Sequence, residues 1–212
     1  MNISILTTSI EHPVNAYLDK WAEKNKNHQI SIVRSKKELI SGDILFLISC
    51  SEIISKSERE EFKKTLVVHA SDLPYGRGWS PHVWEIINGA TDITLSLLEA
   101  EDGVDTGDIW KKISVPIPKK ILLDEINELI FDAEFALMDF AIENYNTIVP
   151  KKQTDTDSTY YPKRSPKDSE IDIYKTISEQ FDLIRVCDSK RFPAYFYKDG
   201  TRFNITIEKN NE

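Results

Sequence analysis

Residues 65 to 110 read TLVVHASDLPYGRGWSPHVWEIINGATDITLSLLEAEDGVDTGDIW. The run opens on Thr65, Leu66, Val67 and Val68 and ends on His69. Apolar, β-branched residues in this pattern predict a buried strand that carries its last side chain to a sheet edge. Leu73-Pro74-Tyr75-Gly76-Arg77-Gly78 follows, a Pro/Gly-punctuated loop whose glycines permit backbone geometries closed to other residues. A helix is expected from about Ser80 to Asn88 and a strand from Asp92 to Leu98, then an acidic loop from Glu101 to Asp108. Ligands of open α/β sheets sit beyond the carboxyl ends of the strands. Both His69 and Asp105 follow predicted strand ends, so the spacing predicts that they meet in one cleft.

Upstream, strands and helices alternate. Asn2 to Leu6 and Gln29 to Val33 read as strands, with a helix from Pro13 to Lys24 (Val14, Tyr17, Leu18, Trp21) between them. A short helical piece, Lys36 to Ile40, precedes the apolar run Ile44-Leu45-Phe46-Leu47-Ile48, which suits the centre of a parallel sheet covered on both faces. The expected fold is therefore α/β: a Rossmann-like, doubly wound, mostly parallel sheet. Thr7 to Pro13, after the first strand, lacks the glycines of a dinucleotide site and argues against a nicotinamide dehydrogenase.

Downstream, Leu122 to Tyr145 has helical spacing and contains neither Gly nor Pro, so it predicts one long amphipathic scaffold helix. Composition changes after Pro150. Lys151 to Lys167 is polar and Pro-interrupted, a loop placed to lie over the cleft. Ile171 to Ile184 reads as a helix, and Ala194–Tyr197 with Phe203–Ile207 as a hairpin around Lys198-Asp199-Gly200. The expected organisation is a catalytic domain over 1–150, with 151–212 a loop, helix and hairpin packed on it.

The 212 residues suffice for one domain with a real core. A formal net charge of −8 argues against a nucleic-acid partner, since polyanion binders present basic surfaces. Cys50 and Cys187 are too few and too far apart for a disulfide framework or a zinc site. No signal-peptide pattern and no membrane-length apolar run are present, so a cytoplasmic location without a membrane partner is the default expectation.

Taken in order and spacing, His69, Ser71, Leu73-Pro74, Arg77-Gly78 and the Asp102-Gly103-Val104-Asp105-Thr106-Gly107-Asp108 loop resemble the 10-formyltetrahydrofolate-dependent formyltransferase family. The tail extends the likeness through Tyr161-Pro162-Lys163-Arg164, Asp168, Ile171, Ile184-Arg185 and Pro193-Ala194-Tyr195, which resemble the region after the long helix in sugar N-formyltransferases and methionyl-tRNA formyltransferase. The chain is expected to carry neither the further C-terminal domain of the tRNA enzyme nor the N-terminal domain of formyltetrahydrofolate hydrolase, and Thr7–Pro13 is not the Gly-rich loop of the glycinamide ribonucleotide enzyme. What remains is the nucleotide-sugar branch. Gly76 to Pro81 is similar to formyltransferases of the pseudaminic-acid type, whose substrate is a UDP-linked 4-amino-4,6-dideoxy-N-acetyl-altrosamine.

The resemblance implies formyl transfer from 10-formyltetrahydrofolate to a sugar amine, without a metal. It assigns His69 as acid/base and Asp105 as its partner. Taken singly, His69 reads as a structural histidine and Asp105 as a solvated turn; only the pair at family spacing points to catalysis. The pterin is expected against Ser49, Cys50, Ser51, Ile53, Glu101, Asp102 and Val104, and the nucleotide sugar against Arg77, Ser71, Trp79, Tyr161 and Arg164. His12 and His82 read as surface or packing residues. The family's Asn two positions before the histidine, credited with holding the formyl oxygen, is Val67 here. Either Ser49, Ser51, Thr65, His69 or a backbone amide replaces it, or the chain is a non-catalytic folate or sugar-nucleotide binder; transfer to another small amine is the third alternative. The Phe192, Tyr195, Phe196 and Tyr197 cluster suits a homodimer contact or an ordinary core equally.

Overall fold

The computed structural model describes residues 1–154 and 156–210. Its centre is a six-stranded sheet built from β1 (Asn2–Leu6), β2 (Gln29–Val33), β3 (Gly42–Leu47), β4 (Phe62–His69), β6 (Asp92–Glu99) and β7 (Ile109–Pro116), in the order β2-β1-β3-β4-β6-β7. β1 pairs in parallel with β2 and β3, and β3 with β4. β6 and β7 are antiparallel additions. The helices are α1 (Asn15–Lys24), α2 (Lys56–Arg59), α3 (Pro81–Ile87), α4 (Leu123–Glu143) and α5 (Ile177–Arg185). Two-residue β5 (Arg77–Gly78) pairs in parallel with β8 (Tyr160–Tyr161), and β9 (Ala194–Lys198) with β10 (Thr201–Ile205) makes a terminal hairpin.

α4 covers one face of the sheet because Ile126, Ile130, Ala133, Leu137, Met138 and Ala141 recur at helical spacing and are buried. They share one core cluster with Ile3, Ile5, Phe46, Leu66, Leu95 and Leu97. Trp21 of α1 adds its ring to Phe46 and donates its indole N–H to Asp139 of α4 at 2.7 Å. A smaller cluster of Leu6, Leu45, Leu47, Ile54 and Phe62 lies separately.

Three expectations are corrected. Ile109–Pro116, which the apolar pattern does not single out, is the β7 edge strand; Lys111 and Lys112 are exposed on it, as suits an edge kept from further pairing. The C-terminal helix begins at Ile177 instead of Ile171, because Thr176 caps it: its hydroxyl accepts from Glu179 N–H at 3.3 Å and the Glu179 carboxylate accepts from Thr176 N–H at 2.8 Å. β10 starts at Thr201, directly after Asp199 and Gly200, whose φ values of 50° and 77° make a tight two-residue turn.

The direction of β6 matters most for the site. β6 runs antiparallel to β4, with His69 opposite Ser96 and Leu66 opposite Glu99. Its carboxyl end therefore lies toward the amino end of β4, away from His69. The acidic loop must fold back to bring Asp105 to the histidine, and it does.

Candidate active site

Side chains alternate across a strand, so Thr65, Val67 and His69 share one face of β4. His69 is buried at the strand end, where its Nε2 lies 2.8 Å from the Gly76 carbonyl oxygen. A carbonyl only accepts, so Nε2 carries the hydrogen and, in the neutral ring, Nδ1 is the basic atom. That atom faces Asp105 Oδ1 at 3.6 Å, and the two side chains are each 9% exposed. The second carboxylate oxygen of Asp105 accepts from Gly78 N–H at 2.9 Å.

The loops that hold this pair are over-determined. Gly76 and Gly78 have φ of +71° and +96°, and a Cβ on Gly78 would stand 2.5 Å from the Tyr161 carbonyl oxygen. Only glycine tolerates both the left-handed backbone and that close approach. Lys112 of β7 reaches back to Asp72 at 2.5 Å and to the Leu73 carbonyl at 2.6 Å, and Ser96 Oγ donates to the Ser71 carbonyl at 2.7 Å. On the acidic side, Gly107 is pressed so closely to the Glu99 carbonyl that a Cβ would lie 1.8 Å from its oxygen. Asp105 itself has φ of 56°, a conformation uncommon for a residue with a side chain.

The pair stands in the wall of a cavity of about 520 Å³, a size suited to a small-molecule site. Ser49, Cys50, Ser51 and Ile53 line it from the loop after β3. Glu101, Asp102, Val104 and Asp105 line it from the acidic loop, together with Trp79 and Tyr160. Arg59, with a side chain 10% exposed, ties these two walls: it donates to the Ile54 carbonyl at 2.7 Å and to Asp102 at 2.6 Å. A separate depression of about 310 Å³ around Lys56, Lys63 and Lys64 includes neither His69 nor Asp105.

Four residues expected at the acceptor do not line this cavity. Ser71 is wholly buried beneath Gly76 and serves the loop's packing. Arg77 donates to the Gln153 side-chain oxygen at 3.1 Å. Tyr161 stacks on Trp84 with ring centroids 6.3 Å apart, and Arg164 lies over the other aromatic wall of that stack while donating to the Asp168 carbonyl at 2.9 Å. Arg77 and Tyr161 belong to the parallel β5–β8 pair, which makes them part of a brace beside the cavity. Among the named replacements for the family's Asn, Thr65 lies outside the cavity, and Ser51 and Ser49 already meet Thr8 and His12 at 3.0 and 3.4 Å.

Sequence reasoning missed a polar group on the cavity wall made by His12, His82 and Glu134. Glu134 sits on the buried stripe of α4, and burial pushes its carboxyl up to about 8. Burial also holds His82 down to about 4, helped by His12, His69 and Arg164, and its Nδ1 is sealed without a partner. His12 is held down to about 4 by burial and then by Arg191, against a smaller opposite pull from Asp188. All three are therefore uncharged near neutral pH. The one available signal was an acidic residue in phase with the apolar stripe of the long helix.

Comparison with known proteins bears on the family and the fold. The formyl transferase family matches residues 5–142. The methionyl-tRNA formyltransferase of Rickettsia typhi is 31% identical over 138 residues, 65% of this chain and 46% of the relative. That of Sulfurovum sp. is 28% identical over 190 residues, 89% of this chain and 56% of the relative. The chain thus spans about half the length of the curated relatives it matches. A solved methionyl-tRNA formyltransferase from Clostridium thermocellum superposes with a TM-score of 0.82 at 28% identity, covering 100% of this chain and 95% of that one. A likely sugar N-formyltransferase from Mycobacterium tuberculosis, at 17% identity and TM-score 0.75, covers 100% and 98%. HypX from Aquifex aeolicus in complex with tetrahydrofolic acid, at 19% identity and TM-score 0.76, covers 95% and 36%, and these last two likenesses are of fold. With its family match running from within β1 almost to the end of α4, the chain belongs to the formyl transferase family.

Proposed function

We propose that this chain moves the formyl group of 10-formyltetrahydrofolate to the amino group of a small acceptor, a nucleotide-linked amino sugar. The observation that carries the proposal is the His69–Asp105 pair in the wall of an open cavity, with the imidazole's tautomer set by Gly76. The donor supplies the formyl carbon: the amine nitrogen bonds to it, the bond to the folate nitrogen breaks, and the proton taken from the amine passes to the departing tetrahydrofolate. The protein supplies a base: Nδ1 of His69 accepts the proton that the attacking amine must lose, and the Asp105 carboxylate at 3.6 Å balances the imidazolium charge. His69 Nε2–H, committed to Gly76, orients the ring and is not free to polarise the formyl oxygen.

The walls suit a folate head group. Ile53 and Val104 are exposed and apolar on opposite loops, able to sandwich a flat heterocycle, and the uncharged His82 and Glu134 offer hydrogen-bonding groups without charge. The tetrahydrofolic acid complex of the HypX neighbour supports the same donor. For the acceptor, the formal charge of −8 and the carboxylates of Glu101 and Asp102 on the cavity wall favour a small molecule over a polyanion. A second reading, transfer to an aminoacyl-tRNA, is favoured by the names of the curated relatives.

Incubation with 10-formyltetrahydrofolate and a panel of amino-sugar nucleotides and methionyl-tRNA separates these readings by which acceptor gains the mass of one formyl group. His69→Ala and Asp105→Ala should each abolish the gain. Full activity in both variants would overturn the assignment, and ligand-stabilised melting without turnover would identify a binding homologue.

A further inference from the structure

Resting on the formyl-transfer reading above, we propose that Gln153 is a positioning residue: its side-chain amide fixes the Asp105 loop against His69. Gln153 lies 48 positions from Asp105, in the polar stretch after α4. Its Nε2 donates to the Asp105 carbonyl at 2.9 Å and to the Gly107 carbonyl at 2.7 Å. Its Oε1 accepts from the Arg77 guanidinium at 3.1 Å. Both amide hydrogens and the amide oxygen are thereby engaged, and the amide orientation is unambiguous, since only nitrogen can face two carbonyls and only oxygen a guanidinium.

The placement acts where the loop most needs it. Asp105 holds a left-handed backbone at φ of 56°, and Gly107 is pressed on Glu99, so the two carbonyls that Gln153 grips flank the turn that aims the carboxylate. The same stretch holds the histidine's other partner. Thr159 Oγ1 accepts from Gly76 N–H at 2.7 Å, β8 pairs with β5 through Gly78, and Lys151 exchanges two backbone bonds of 2.8 Å with Ile109. One segment outside the sheet therefore sets what faces each nitrogen of His69: Gly76 at Nε2 and Asp105 at Nδ1. A merely structural glutamine would stabilise the loop without changing the imidazole's surroundings.

The test uses Gln153→Met, which keeps the length and removes the amide, in the wild-type and Asp105→Ala backgrounds. Gln153→Glu, which keeps the Arg77 contact but loses both donors, serves if the methionine variant does not fold. Nitrogen-15 NMR of the His69 ring in the unliganded protein should show its resonances displaced in the direction that Asp105→Ala displaces them. Turnover of 10-formyltetrahydrofolate should fall roughly 10- to 100-fold in kcat, the usual loss for slight misplacement of a catalytic group. KM for the donor should stay within about twofold. In the Asp105→Ala background, which has no turnover left to lose, the substitution should leave the ring resonances where Asp105→Ala alone puts them. Unmoved ring resonances, a wild-type kcat, or an equal displacement of the ring resonances in both backgrounds would each overturn the proposal. If the ring responds as stated while the wild-type protein moves no formyl group, it is the formyl-transfer reading that fails instead.

Discussion

Replacing Asp105 by asparagine removes one charge and little else. Asparagine is nearly isosteric, and its side-chain oxygen can still accept from Gly78 N–H, now at 2.9 Å from the carboxylate, so the loop keeps its anchor. What is lost is the attraction between the carboxylate and a protonated His69 at 3.6 Å, between side chains that are each 9% exposed. At an effective dielectric of about 20, that attraction is about 4.6 kcal/mol, which corresponds to roughly a few thousandfold in rate if it operates fully in the transition state. The assay is the initial rate of conversion of 10-formyltetrahydrofolate to tetrahydrofolate with the acceptor saturating, for wild type and Asp105→Asn side by side. Thermal melting of both proteins checks that the fold is unchanged. A loss below about tenfold, or a change in KM alone, would refute the view that Asp105 stabilises charge on the imidazole.

Glu134→Gln tests the buried carboxyl of α4. Because its folded value of about 8 lies above the ordinary 4.5, the unfolded chain ionises first as pH rises, and the folded state loses ground between those two values, by up to roughly 1.4 kcal/mol per pH unit. Thermal melts should show the variant gaining on wild type from pH 5 to pH 8, and parallel pH profiles would remove Glu134 from the account. Gly78→Ala should destabilise by more than about 1–3 kcal/mol, since φ of +96° is strained for alanine and the new Cβ would meet the Tyr161 carbonyl oxygen at 2.5 Å; a denaturant midpoint equal to wild type would contradict this. Arg185→Ala removes a side chain 1% exposed that donates to the Pro118 and Ile121 carbonyls at 3.1 and 3.3 Å and to Asp182 at 2.6 Å. The expected cost is about 2–4 kcal/mol in chemical denaturation, from buried acceptors left unpaired.

Much of the sheet was legible because its signal is local. The apolar runs at Ile3–Leu6, Ile44–Leu47 and Leu66–Val68 announce buried strands wherever they occur, and the unbroken stripe from Ile126 to Ala141 announces a covering helix. His69 and Asp105 were singled out by motif order. The reason first given for their meeting, two carboxyl strand ends side by side, was not the physical one: β6 is antiparallel, and a loop turned by Asp105 and pinched at Gly107 makes the return. β7 escaped notice because an edge strand need not be apolar on its open side.

By itself, then, the chain's order of residues determined most of the elements and the central layer, and it singled out His69 and Asp105 as candidates, since periodicity and motif spacing depend only on neighbours along the chain. Tertiary structure alone decided which polar residues face the cavity. Glu134, His82 and His12 entered it, while Ser71, Arg77, Tyr161 and Arg164 were turned into packing or bracing. It also decided that Gln153 would grip Asp105 from 48 positions away. Such assignments follow from strand direction and from how loops cross the sheet, and those are set by contacts between residues remote in sequence, whose sum no local pattern contains.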